Sequence, residues 1–241
     1  MCVAAPGAPK APTDNARVWD LPTRLFHWSL VALVAAAFVT VNLGGNAMVW
    51  HGRCGLAILG LLVFRIVWGM VGSTYARFAQ FVRGPAAIRA FLASNGEAQG
   101  QLGHNPIGAL SVLALLAIPL AQAVTGLFAN DDIAFNGYLA ALVSNEVSSR
   151  ISGIHELLSD GLIVLLLLHI GAIAFYARVK KHNLVKPMIT GWTAGKPCQS
   201  AKGGGAVPFI IAVLIAASVA WAASGALLPP PPPPSTTAPD W

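Results

Sequence analysis

The sequence predicts an all-α, polytopic membrane protein: a four-helix transmembrane bundle with one additional C-terminal transmembrane helix. Three observations predict it. Of 241 residues, 56% are hydrophobic and 10% charged, where an average soluble domain is roughly a quarter charged. Five runs approach or exceed the length of about 20 apolar residues that a helix needs to cross a bilayer. The basic residues, finally, are clustered in the segments between those runs.

The runs lie at residues 25–43, 48–71, 106–128, 155–177 and 206–228. The first, third and fifth contain no Asp, Glu, Lys or Arg. The second is interrupted only by Arg53 and Arg65, and the fourth only by Glu156 and Asp160 near its start. Ionisable groups at membrane depth are costly and usually mark function. Arg17 and Arg24 precede the first run, Arg77, Arg83 and Arg89 follow the second, and Arg178, Lys180, Lys181 and Lys186 follow the fourth. Lys and Arg in short loops stay in the cytoplasm, so the N-terminus is expected inside and, after five crossings, the C-terminus outside in the periplasm. The opposite loops agree: residues 42–47 carry no charge, and 129–153 hold Asp131, Asp132 and Glu146 against Arg150.

Five divisions follow: a flexible cytoplasmic N-terminus at 1–16, the bundle at 17–191, a cytoplasmic linker at 192–205, the extra helix at 206–228 and a proline-rich external tail at 229–241. Six consecutive prolines favour a stiff polyproline II rod, although a disordered tail is the plainer expectation. Residues 1–20 lack an apolar core with a cleavage site, so no signal peptide is expected and the first run stays in the membrane. The net charge of +6 sits in these membrane-flanking clusters and does not indicate nucleic-acid binding. Cys2, Cys54 and Cys198 are scattered singly, with no Cys-x-x-Cys-His motif for covalent haem attachment.

Of six histidines, His27, His51, His155 and His169 lie inside or at the edge of spanning runs. His155 and His169 are 14 residues apart, nearly four turns, so they share one helix face about 21 Å apart along the axis. That places one near each membrane surface and leaves room for two stacked haems. Each haem iron then takes a second imidazole from a facing helix, and one candidate exists at each level. His27 opens the first helix on the cytoplasmic side, and His51 opens the second on the external side. Any single intramembrane histidine reads equally well as an interior residue bonded to a carbonyl or to water. Four at two matched depths read as axial ligands of two non-covalent b haems, paired His27 with His169 and His51 with His155.

Arg65 lies 14 residues after His51, on the same face but at the cytoplasmic level. Two readings stand for it: a bidentate partner of a haem propionate, or a side chain snorkelling to the interface. Arg24 and Arg53 are adjacent to proposed ligands and are weaker candidates for the same role, against ordinary surface solvation. His104 precedes the third helix and reads as a solvated interfacial histidine, with a quinone or propionate contact as the alternative. His182 reads as part of the basic cluster around it.

The run Val18-Trp19-Asp20-Leu21-Pro22-Thr23-Arg24-Leu25-Phe26-His27-Trp28 resembles the opening of the bacterial cytochrome b561 and nickel-iron hydrogenase b-type cytochrome family. Further similar stretches are His51-Gly52, Phe64-Arg65-Ile66-Val67-Trp68-Gly69, Arg77-Phe78, and Leu102-Gly103-His104-Asn105-Pro106 with Gly108. Thr125-Gly126, His155-Glu156 with His169, Asn183-Leu184-Val185 and Met188-Ile189-Thr190-Gly191 complete them. The resemblance covers 17–191 and implies a four-helix bundle with two b haems. Its ligand positions fall on His27, His51, His155 and His169. It implies electron exchange between a redox partner, a c-type cytochrome or a hydrogenase, and membrane quinone. Members of this kind end after the fourth helix, so the fifth is a departure, and attachment to a larger membrane complex is one use for it.

The function expected is therefore a di-haem carrier moving electrons across the inner membrane. Two rivals are a self-contained quinone-linked reductase acting on a small species such as superoxide, and a structural subunit whose histidines no longer hold haem. The first needs a charged funnel outside, for which Arg53 and Arg150 are meagre material.

Overall fold

A computed structural model describes residues 15–94, 102–131, 133 and 135–229; the tail from residue 230, like Asp132 and Cys2, lies outside the described residues. Helix content dominates, and among the described residues five helices are long and apolar enough to cross a membrane. A short strand β1 (Asn15–Arg17) leads into α1 (Leu21–Leu43), which starts four residues before the apolar run. The start is set by a cap: Asp20 Oδ1 accepts from the backbone N–H of Thr23 at 2.7 Å, and Pro22 follows in the first turn. A left-handed turn at Gly44 and Gly45 sends the chain back through α2 (Met48–Val71). Short helices α3 (Phe78–Phe81) and α4 (Pro85–Ala93) precede α5 (Pro106–Phe128), whose N-cap is Asn105.

The fourth spanning helix, α6 (Asn145–Arg178), begins ten residues before the expected start. Its first turns are polar, which hid them from a search for apolar runs, but Ser144 caps them and Glu146 and Arg150 form an exposed i,i+4 ion pair at 2.7 Å. At 34 residues it is about 51 Å long, well beyond the bilayer core. After α7 (Val185–Thr190) and strand β2 (Trp192–Ala194), α8 (Ala206–Ala223) crosses last and ends five residues before the expected 228.

The expected linker 192–205 is a built element. β2 pairs antiparallel with β1, setting Ala16 opposite Thr193. Ala201 N–H donates to Arg17 O at 2.7 Å, Tyr75 Oη donates to Gln199 O at 2.6 Å, and Ser73 bridges Gly203. These bonds gather the segments before α1, after α2 and before α8 into one cap, at the basic end of the bundle. At the opposite end, Ser148 Oγ donates to Phe128 O at 2.6 Å and Leu139 N–H donates to Leu127 O at 2.8 Å, folding the α5–α6 loop onto the helix ends. The start of α1 and the end of α8 therefore stand at opposite ends.

α2 is the most buried span because two faces of it are covered. Its stripe of Ile58, Leu62 and Arg65 turns into the bundle. The opposite stripe, Gly60, Phe64 and Trp68, receives α8, where Ala212 and Ala216 are buried and Phe209 meets the rings of Phe64 and Trp68 edge-on. A Cβ on Gly60 would stand 3.4 Å from Ala220 Cβ, so the small residues at 212, 216 and 220 are what let the helices close. The extra helix thus belongs to the bundle's packing.

Candidate functional site

At the end away from the cap, α2 and α6 bring His51 and His155 together, with ring centroids 6.2 Å apart and planes at 83°. The rings flank a cavity of about 360 Å³ whose lining includes Gly55, Pro119, Gln122, Asp131 and Glu156. Its floor is flat where α2 carries glycine: a Cβ at Gly55 would meet nothing within 4 Å. On α5, a Cβ at Gly126 would stand 3.0 Å from His155 Cε1, so that glycine lets the imidazole lie against the helix.

Each ring is held by one nitrogen. His51 Nδ1 is 3.0 Å from Ala37 O on α1, and His155 Nδ1 is 3.0 Å from Thr125 Oγ1 on α5. Engaging Nδ1 fixes the tautomer and leaves Nε2 as the nitrogen available to a metal. Two imidazoles at metal–nitrogen distances of about 2 Å place their ring centroids about 6 Å apart across an iron. The donor set, the spacing and the flat glycine floor fit a haem held between these two side chains.

The other two histidines lie toward the capped end. His27 on α1 and His169 on α6 are near enough for their charges to interact. His27 packs edge-on against Trp28 at 5.0 Å, and its buried Nδ1 has no hydrogen-bond partner among the described residues. The structure thus brings His51 and His155 together as a pair at one level, with His27 and His169 toward the other.

The arginines separate. Arg65 is 3% exposed, which excludes snorkelling. Its guanidinium lies 5.1 Å over the Phe78 ring and in the field of Asp20. Among the described residues no protein group hydrogen-bonds the buried Arg65 Nη1. Arg24 donates from Nη1 to Ile189 O and keeps a buried Nε with no hydrogen-bond partner among the described residues. Arg53 is exposed, stacks on Trp50 at 4.7 Å and is not among the cavity lining.

His104 corrects the expectation of a solvated interfacial residue. Its ring is packed between Trp19 at 4.8 Å and Phe81 at 4.6 Å, with Nδ1 buried and without a hydrogen-bond partner among the described residues. Burial first, and the Arg65 charge second, push it down to about 4. Asp20 is the residue that composition alone did not single out: besides capping α1, its Oδ2 accepts from Trp68 Nε1 at 3.0 Å. The Asp-x-x-Thr cap was legible in the sequence, whereas the Trp68 contact, 48 residues away, left no local signal.

Membrane-spanning helices with a facing histidine pair inside the bundle fit a class, the transmembrane b-type cytochromes. A family model described as prokaryotic cytochrome b561 matches residues 18–191, and the chain belongs to that family. It is a multi-pass membrane protein of a family that binds b-type haem and carries electrons across the membrane. No curated protein and no solved structure matches the chain. α8 lies wholly outside the matched residues.

Proposed function

We propose that the chain is a di-haem carrier in the bacterial inner membrane, linking an external redox partner to the quinone pool. His51 and His155 would hold one haem near the external surface, and His27 and His169 a second near the cytoplasmic surface. The observation that carries this reading is the 6.2 Å separation of the His51 and His155 rings with both Nδ1 atoms already engaged. When bound, haem iron supplies one-electron chemistry. The side chains would supply ligand nitrogens, counter-charge and a dry surround. Arg65, whose buried Nη1 has no hydrogen-bond partner among the described residues, is suited to a propionate of the cytoplasmic-level haem, and Arg24 to a lesser part in the same role. Arg53, exposed and stacked on Trp50, is the weakest candidate for that role.

Among the described residues, the charged side chains lining the cavity are Asp131 and Glu156. An acidic lining favours a partner with a basic surface, such as a c-type cytochrome, over a small anion such as superoxide. Membrane quinone exchanges electrons at the other haem. The basic segments support a cytoplasmic position for the capped end.

A reduced-minus-oxidised spectrum with a haem-to-protein ratio on the purified chain tests the reading. Two b haems per chain are expected; a ratio of one, or no haem bands, would refute it.

A further inference from the structure

The two histidine pairs are held unequally. At the cavity, both imidazoles have an acceptor at Nδ1: Ala37 O for His51 and Thr125 Oγ1 for His155. At the capped end, His27 Nδ1 is buried with no partner among the described residues. The Thr125 bond has a defined direction. Its hydroxyl carries one proton, and two backbone carbonyls of its own helix, Ala121 O at 2.8 Å and Gln122 O at 3.1 Å, are placed to accept it. Toward His155 the oxygen is left with lone pairs, so Nδ1 carries the hydrogen and donates. Gly126, beside it, gives the ring room to reach that bond.

A ligand imidazole that donates its second N–H becomes more electron-rich, which stabilises the oxidised metal. The charged surroundings act in the same direction. The cavity is lined by Asp131 and Glu156, which favour ferric iron, while the buried Arg65 guanidinium lies toward the capped end. We propose that Thr125 is a positioning residue for His155. It holds the tautomer that offers Nε2 and, through the same bond, makes the haem at the cavity the lower-potential haem of the two. This rests on the ligand reading above. An electron arriving at the cavity then runs downhill toward the capped end.

The test is a redox titration of the purified full-length chain with its haem, comparing wild type, T125V and T125S, with H155A and H169A assigning each midpoint to a site. Two midpoints are expected, the lower lost in H155A. T125V, equal in shape but without the acceptor, raises that lower midpoint and leaves the other in place. T125S, which keeps the hydroxyl, titrates as wild type. A packing role predicts the reverse pattern, T125S shifted and T125V not, and would overturn the proposal, as would a lower midpoint lost in H169A. T125C keeps the shape and weakens the acceptor; where T125V does not accumulate, it must shift the same midpoint in the same direction or the proposal falls. A wild type without two haems fails the ligand reading itself, before any variant is compared.

Discussion

Trp68 Nε1 donates to Asp20 Oδ2 at 3.0 Å, tying the last turn of α2 to the residue that caps α1. One carboxylate thus serves two helix ends, with its second oxygen on Thr23 N–H, and it is the anion in whose field the buried Arg65 sits. Replacing Asp20 by Ala removes a cap worth about 1 kcal/mol and strands a buried indole donor at a cost of about 1–3 kcal/mol. D20A is expected to lower the thermal midpoint in detergent well below that of D20N, which keeps one acceptor; equal midpoints would show that neither bond contributes.

His104 makes stability depend on pH. Its imidazole sits at about 4 in the folded chain and at about 6.5 when unfolded. Between those values the unfolded chain binds the extra proton, so stability is whole above about pH 6.5 and falls as pH drops toward 4. The full loss is on the order of 3 kcal/mol. Thermal midpoints measured from pH 7.5 to 4.5 should fall in the wild type and flatten in H104F, which keeps the packing between Trp19 and Phe81. A parallel fall in both would assign the acid sensitivity elsewhere.

The seam between α2 and α8 leaves room for a methyl and little more. G60A should be tolerated, since its Cβ would stand 3.4 Å from Ala220 Cβ. G60L adds bulk where the helices touch and should cost about 1–3 kcal/mol, read as a lower melting point and protease access to residues 192–205. Indistinguishable melting of G60L and wild type would mean α8 does not pack there.

Haem loss should be selective. H169A is expected to remove or perturb the cytoplasmic-level haem and spare the other, and H155A to do the reverse, because the two positions are about 21 Å apart along α6. Absorption spectra and haem ratios of the two variants check this. A single haem surviving both substitutions would sink the pairing.

A reporter active only in the cytoplasm, fused after Trp241, should be silent, because five spans put the chain's ends on opposite sides and the basic segments retain the N-terminal one inside. An active fusion would reverse the orientation.

Spanning helices and their order were legible because a bilayer demands long apolar stretches, and that demand is local. The two levels of histidine were legible too, since helical rise converts the interval from His155 to His169 directly into depth. Polar ends were not: the first turns of α6 follow capping and ion pairing, which carry no apolar signal. What only the tertiary structure decided were the partners of those residues. Whether Arg65 reaches the interface or is walled in by Phe78, whether His104 meets water or two aromatic rings, and which atom holds His155 depend on side chains from other helices. The same is true of α8: its sequence marks a span, but the groove at Gly60 that receives it exists only once α2 and α8 lie side by side. Periodicity along one helix sets depth and face, whereas contacts between helices depend on rotation and packing that no single segment encodes.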